Sequence, residues 1–179
     1  TYNMEGGTFY FSAVDFVDND NNSTSTEHDN AAQDNAALDA HWGAEMTYDY
    51  YLNVLGRDSY DDAGAVIQSY VHYSMGFDNA FWDGTRMTYG DGNGTTTTPY
   101  TALDICGHEI THALITETAS LTLFDESGAL NESFADIFGT AIEFYAKPSD
   151  ANWTIGEDIG VTLRSMANPH LFNNPDTYK

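Results

Sequence analysis

The segment DICGHEITHALI, which starts at Asp104, constrains this chain more than any other part of its sequence. Residues four apart on an α-helix differ by about 40° in azimuth and about 6 Å in rise, so Asp104, His108 and His112 form one stripe. Both imidazoles can then bind one ion, and Glu109 lies one step round from His108, within reach of a water at that ion. The pattern predicts a zinc-binding helix at about residues 101–119.

A second acidic stripe lies on a helix predicted at about residues 129–146. Glu132, Asp136 and Glu143 are separated by four and seven residues, so they also share one face. The short connection between the two helices favours antiparallel packing, which sets one stripe against the other. Apolar residues cover much of the remaining circumference, which predicts a buried helix whose carboxylates need a partner or an ion. These apolar residues are Leu130, Phe134, Ile137, Phe138 and Ile142.

Matching the two stripes gives two candidate cation sites. His108, His112 and Glu132 are the predicted zinc ligands, and Asp136 is predicted to orient His108 through its other ring nitrogen. The far ends of the stripes form an oxygen-rich site that suits calcium. The alternative for both stripes is a solvated polar face without an ion. The calcium candidates are Asp104, Glu143, Asn152, Glu157 and the carbonyl of Thr154.

Composition excludes several classes of function. The 28 acidic and 5 basic residues give a net charge of -23, which repels phosphate backbones and argues against nucleic acid as a partner. No stretch approaches the roughly 20 apolar residues of a membrane span, so no membrane association is expected. The single cysteine, Cys106, cannot form an internal disulfide, and calcium is a common substitute in secreted proteins.

The rest of the chain predicts an α+β fold, with an antiparallel β-sheet packed against helices and an antiparallel pair of active-site helices. The runs AVIQSYVHYS and NAFWDGTRMTYGDGNG have strand composition. No linker divides the chain, so residues 1–179 are expected to form a single domain. NAALDAHWGAEMTYDYYLNVLG predicts an amphipathic helix that ends near Gly56. Its predicted buried stripe is Leu38, Trp42, Met46, Tyr50 and Val54.

The motif GHEITHA, followed after a fixed interval by SGALNESFADIFG, resembles the thermolysin family of secreted zinc endopeptidases. The similarity continues through LDAHWGAEMTYDYY and VHYSMGFDNAFWDGTRMTYGDG upstream and through WTIGEDI and LRSMANP downstream, so it covers most of the chain from about Ala37. The resemblance implies a zincin-like fold, secretion and protein or peptide substrates. It also implies that the chain is the N-terminal, zinc-bearing portion, with the family's helical C-terminal half absent and a candidate partner.

The resemblance further implies a role for each matching residue. Glu109 is the implied general base, which takes a proton from zinc-activated water as a peptide bond is hydrolysed. The pocket for the residue after the cut is implied to be apolar and to favour Leu-like or Phe-like side chains. The implied substrate contacts are Asn79 and the Ala80 carbonyl for the substrate backbone, Arg164 for a substrate carbonyl, and Ile105 and Leu163 for that pocket.

The sequence departs from the family pattern at three places. Leu123 occupies the position of a tyrosine that donates a hydrogen bond in the family, and His170 stands in the wrong context to replace the family's remaining catalytic histidine. Neutral Asn152 and Thr154 replace acids found in members with two adjacent calcium ions, which predicts one ion here. Leu123 and the missing catalytic histidine support an alternative function, a catalytically impaired metal-binding fragment that binds peptide without cleaving it.

Overall fold

A computed structural model describes residues 1–17 and 35–175, and two long helices lie at its centre. The helices are α1 (Asn35–Leu55), α2 (Leu103–Thr118) and α3 (Asp125–Ala146), with 3-10 helices at Tyr10–Ser12, Glu157–Ile159 and Pro169–Phe172. The strands are β1 (Tyr2–Asn3), β2 (Val14–Asp15), β3 (Ser69–Val71), β4 (Ala80–Trp82), β5 (Met87–Tyr89), β6 (Thr154–Ile155) and β7 (Arg164–Ser165). Of the helices in the described ranges, none is both long enough and apolar enough to cross a bilayer.

The main sheet has five strands in the order β2-β1-β3-β5-β4. The α+β class is confirmed, but the sheet is mixed: β3 runs parallel to both β1 and β5, whereas β4 pairs with β5 in antiparallel fashion. The prediction of a wholly antiparallel sheet was wrong because the chain after β3 passes to the sheet edge, forms β4 there and returns as β5. A hairpin on that edge therefore inserts β5 between β3 and β4.

Helices α2 and α3 cross at glycine residues, so their backbones come into contact. A Cβ atom at Gly139 would lie 2.5 Å from the Asp104 carbonyl oxygen, and one at Gly107 would lie 3.1 Å from the Gly139 Cα. The six-residue connection from 119 to 124 reverses the chain. The helices are antiparallel, as predicted, because the start of α2 lies beside the end of α3.

We predict that Gly139→Ala destabilises the protein, because the added methyl group has no space between the two backbones. An overpacked site of this kind costs about 1–3 kcal/mol, or about 2–10 °C in melting temperature for a chain of this size. Thermal unfolding measures the effect. Ser133→Ala, at an exposed position of the same helix, is the control and leaves the melting temperature unchanged. Equal melting temperatures for the two variants would contradict the prediction.

Helix α1 buries a different face from the one its large side chains suggest. The predicted stripe was wrong at Trp42 and Val54, which are 37% and 53% exposed, whereas Met46 and Tyr50 are half-buried and pack against the core. The helix instead turns its small residues inward, because a Cβ atom at Gly43 would lie only 2.6 Å from the Cys106 Cβ on α2. This close approach excludes bulky groups from the contact. The buried residues are Ala36, Ala37, Ala40, Gly43, Thr47 and Tyr51.

Helix α3 is buried on one side only. Ile142 is fully buried, but Leu130, Phe134 and Ile137 are each more than two-fifths exposed, so the prediction that the whole helix is buried was wrong. Their side of the helix faces away from α2. We call these three residues the apolar face of α3.

Candidate metal centre and groove

Three side chains from the two central helices converge on one small space. The Nε2 atoms of His108 and His112 lie 3.0 Å apart, and the Glu132 carboxylate oxygens lie 3.4 Å and 3.7 Å from them. Tetrahedral zinc holds nitrogen and oxygen ligands at about 2.0–2.2 Å, which places those ligands about 3.3–3.6 Å from one another. The observed separations of 3.0, 3.4 and 3.7 Å lie within about 0.3 Å of this range, so small side-chain shifts would allow the three groups to bind one zinc ion.

The hydrogen bonds of both imidazoles show that the shared space needs a cation. His108 Nδ1 faces Asp136 Oδ1 at 2.8 Å, and His112 Nδ1 faces Asn131 Oδ1 at 2.7 Å. The Asn131 amide is oriented by its own bond to the Leu121 carbonyl at 3.1 Å, so its oxygen points at the ring. Each Nδ1 therefore donates, so without a further proton the two Nε2 atoms would direct their lone pairs at each other. Only a proton or a metal ion between them relieves this repulsion.

The electrostatic surroundings favour positive charge at this point. Burial lowers the pKa of His108, but its hydrogen bonds with Asp136 and Glu132 outweigh that effect and raise the pKa to about 9. A metal ion must therefore displace a proton at neutral pH. Asp136 is itself held as a carboxylate: burial would raise its pKa, but hydrogen bonds with His108 and Arg164 lower it below its usual value.

Glu109 lies beside the two histidines without joining their set of hydrogen bonds. One potential ligand atom from each of His108, Glu109 and His112 lies within 4.8 Å of the others, the one such cluster found among the described residues. The backbone N–H of Trp82 on β4 donates to Glu109 Oε2 at 3.0 Å, which fixes the carboxylate. Burial raises the pKa of Glu109 against the opposing effect of the histidines, so the group binds a proton more readily than an ordinary glutamate.

A groove of about 370 Å³ runs across this cluster, between the edge strand β4 and the two helices. All five predicted substrate contacts line it, and so does Leu123, which is 68% exposed. Arg164 also donates two hydrogen bonds of 2.7 Å to Asp136, which links it to the His108 ring. The predicted substrate contacts brought together here are Asn79, Ala80, Ile105, Leu163 and Arg164.

Two contributors to the site were not predicted from the sequence. Asn131 holds His112, and its position directly before Glu132 on a helix beside α2 is the signal that could have identified it. The Trp82 backbone holds Glu109, and no side-chain pattern identifies a backbone donor.

The predicted calcium residues lie together but do not converge as tightly. Asp104 accepts hydrogen bonds from the backbone N–H groups of Gly156 and Ile105 at 2.6 Å and 2.8 Å. The Thr154 N–H donates to Asn152 Oδ1 at 2.7 Å, and Asn152 in turn donates to Glu157. Glu143 is 4% exposed, and its Oε2 atom has no hydrogen-bond partner among the described residues. An unpaired carboxylate oxygen in this position is what a bound cation would satisfy.

We predict that the cation-free protein loses stability as the pH rises from 5 to 8. Burial raises the pKa of Asp104 to about 6, and burial together with Asp104 and Glu157 raises the pKa of Glu143 to about 7. Carboxyls with raised pKa values bind protons more tightly in the folded state than in the unfolded state. Their stabilising effect is therefore present at low pH and is lost as the pH rises through 6 and 7.

Thermal unfolding across that pH range, in buffer stripped of divalent ions, measures this loss. Lys147, which lies 3.5 Å from Glu143 and 2.8 Å from Asp158, opposes the effect without cancelling it. Glu143→Gln removes one of the two titrations and flattens the profile. A melting temperature that rises between pH 5 and pH 8 would contradict the prediction.

Comparison with known proteins identifies relatives along the whole chain. The family model described as thermolysin metallopeptidase, catalytic domain, matches residues 1–116, and the model of the α-helical domain matches residues 119–179. The boundary between them, residues 117–118, falls at the C-terminal end of α2. The histidines of the candidate metal centre therefore lie in the first matched region, and Glu132 lies in the second.

Individual relatives agree with these matches. Thermostable neutral protease NprT from Geobacillus stearothermophilus is 50% identical over 163 residues, which cover 86% of this chain and 30% of the relative. Thermolysin from Alicyclobacillus acidocaldarius is 51% identical over 155 residues, or 83% of this chain and 28% of the relative. This chain thus spans under a third of the length of these curated relatives.

The fold agrees as well. The precursor of protealysin, a metalloproteinase from Serratia proteamaculans, superposes with a TM-score of 0.77 at 30% identity, over 92% of this chain and 52% of that one. The α+β arrangement of a mixed sheet with packed helices is therefore shared with a solved metalloproteinase structure. Because the catalytic-domain model alone matches 116 of 179 residues, the chain belongs to the thermolysin family of metallopeptidases.

Proposed function

We propose that this chain carries the zinc site of a secreted endopeptidase that hydrolyses peptide bonds. The observation that supports it best is the 3.0 Å contact between the acceptor nitrogens of His108 and His112, with Glu132 beside both. That arrangement fits zinc, with His108, His112 and Glu132 as ligands and Asp136 orienting His108. When bound, zinc supplies a Lewis acid that makes a coordinated water more acidic and polarises a carbonyl.

The protein groups around the proposed ion have separate roles in proton transfer and in substrate binding. Glu109 accepts the proton of the attacking water and then passes it to the leaving amine; its raised pKa and fixed carboxylate suit both steps. Asn79 and the Ala80 carbonyl hold the substrate backbone against the edge strand, and Arg164 holds a substrate carbonyl. The groove excludes part of the solvent, so each of these interactions is stronger than it would be in water.

Substrate preference follows from the apolar wall of the groove. Ile105 and Leu163 line it, so we propose that it takes hydrophobic side chains directly after the cut. Among the solved and curated relatives, the names thermolysin, neutral protease and metalloproteinase agree with a peptide substrate.

A second proposed ion is calcium, bound by Asp104, Glu143, Asn152, Thr154 and Glu157. Support comes from the buried Glu143 oxygen, which has no hydrogen-bond partner within the described ranges, and from the 2.7 Å contact between the Thr154 hydroxyl and Glu157. Asn152 and Thr154 are neutral, so the site has charge enough for one ion.

We also propose that residues 1–179 form a single zincin-like domain in the N-terminal part of the protease, one that joins the catalytic-domain match to the region matching the α-helical-domain model, since both helices that supply the zinc ligands pack together within it. The apolar face of α3, with Leu130, Phe134 and Ile137, is exposed and adjoins exposed Leu123 and Phe124 in sequence. A helical C-terminal half of the same protease is the proposed partner for this surface.

The alternative function is a metal-binding fragment that binds peptide without cleaving it, and Leu123 is the observation that favours it. Its side chain lines the groove but has no hydrogen-bond donor for a developing oxyanion. We predict that Leu123→Tyr raises kcat/KM for peptide cleavage by about 10²-fold, the usual contribution of one such donor. Leu123→Phe, which adds the ring without the hydroxyl, is the control. Equal rates for the two variants would show that the hydroxyl contributes nothing.

Metal analysis and a cleavage assay together test the proposed function. We expect about one zinc per chain, and we expect cleavage of an unstructured protein substrate to stop with a chelator and to return with added zinc. The assay is run with and without the proposed helical C-terminal half added to the chain. Cleavage that ignores chelator would exclude the zinc mechanism. One zinc per chain without any cleavage would favour the binding fragment.

A further inference from the structure

Five carboxylates gather where the ends of α1, α2 and α3 approach the loop after β6. One amine, the side chain of Lys147, enters this group directly after the last residue of α3. Its Nζ atom lies 2.8 Å from Asp158 Oδ2 and 3.5 Å from Glu143 Oε1. We call these carboxylates the acidic cluster; they are Asp39, Asp104, Glu143, Glu157 and Asp158.

The two oxygens of the Glu143 carboxylate have different surroundings. Oε1 faces the ammonium group, whereas Oε2 is buried and lacks a hydrogen-bond partner among the described residues. Glu143 is 4% exposed, so water does not compensate the second oxygen freely. The Glu143 carboxylate can therefore contact two cations at once, one at each oxygen, and the Lys147 ammonium group is one of them.

Because the acidic cluster is strongly negative, a positive side chain within it stabilises the folded protein. Carboxylates this close repel one another, and each one added raises the energy of the folded chain unless a positive charge lies between them. Burial raises the pKa of Asp39, the charge of Lys147 opposes that rise, and Asp158 adds to it. The arginines of the described segments have other contacts: Arg57 binds the Tyr60 carbonyl, Arg86 pairs with Asp83, and Arg164 pairs with Asp136.

We propose that the Lys147 ammonium is a resident cation of the acidic cluster, which bridges Glu143 and Asp158 beside the proposed calcium ion. The inference rests on the proposed calcium site at the same cluster. Lys147 then has two opposed effects. It stabilises the protein when calcium is scarce, and it weakens the binding of the calcium ion because it repels a second positive charge.

Lys147→Met separates these effects, because methionine keeps most of the apolar stem and removes the charge. In calcium-free buffer we expect the melting temperature of the zinc-loaded full chain to fall by about 3–6 °C. We expect calorimetric titration with calcium chloride to show about 5- to 10-fold tighter binding than in the wild type. Lys147→Arg keeps the charge, so both values should return towards those of the wild type.

Arg57→Met is the matched control for net charge, since it removes one positive charge at a site where the arginine binds a carbonyl and not the acidic cluster. It should leave calcium affinity unchanged. A Lys147→Met variant whose calcium affinity is unchanged or weaker, or whose calcium-free melting temperature equals that of the wild type, overturns the inference.

Zinc content, measured on every variant, keeps this test separate from the proposed peptidase. Wild type and Lys147→Met that both fail to bind calcium overturn the inference and the calcium site together, while one zinc per chain would leave the zinc site supported. Loss of zinc with intact calcium binding would contradict the zinc site and would leave the calcium site supported.

Discussion

Replacing His112 with alanine is expected to lower the affinity of the protein for zinc by about three orders of magnitude. The substitution removes one of three protein ligands and leaves His108 and Glu132 to hold an ion that favours four-coordinate sites. It also frees Asn131, whose oxygen is 2.7 Å from the His112 ring. Competition between the protein and a chromophoric zinc chelator measures the affinity directly.

His41 offers a matched control, because it is a histidine on the exposed side of α1. His41→Ala should bind zinc as tightly as the wild type. Should both alanine variants bind zinc equally well, the ion would have to be held elsewhere, and the assignment of the metal centre would be wrong.

Replacing Glu109 with glutamine is expected to reduce kcat for peptide cleavage by about 10³-fold, within the range for loss of a general base. Zinc content should not change, since Glu109 is not among the proposed ligands. Glutamine has the same shape and can still accept the Trp82 N–H through its oxygen, so the fold is preserved. Steady-state kinetics and metal analysis on the same preparation separate a loss of chemistry from a loss of metal.

Glu117→Gln is the control for this change, because Glu117 lies on the same helix at an exposed position. Its kinetics should match those of the wild type. A Glu109→Gln variant that retains full activity would transfer the role of base to another group. A variant that loses zinc would show that Glu109 helps to hold the ion.

The sequence predicted the central helix pair well because helical spacing fixes which side chains share a face. His108, His112 and Glu132 were matched across two helices from spacing and a short connection, and the structure brings their ligand atoms within 3.7 Å of one another. The α+β class followed from the separate helical and strand patterns and is confirmed by the fold. The functional roles of these residues remain predictions.

Other features depend on contacts that a local pattern does not show. The parallel pairing of β3 with β5 arises from the path of the chain around β4, which strand composition does not contain. Helix α1 was assigned the wrong buried face because large apolar residues are usually buried, whereas here Gly43 must approach Cys106 closely. The apolar residues of α3 were predicted to be buried around the helix, but only the side that faces α2 is buried.

The glycine crossing of α2 and α3 has a consequence for how this metal centre tolerates change. Main-chain atoms set the spacing of the two helices at this point, so that spacing does not depend on any rotamer. Amino-acid exchanges at exposed positions of either helix can therefore accumulate without changing how closely the two helices approach each other.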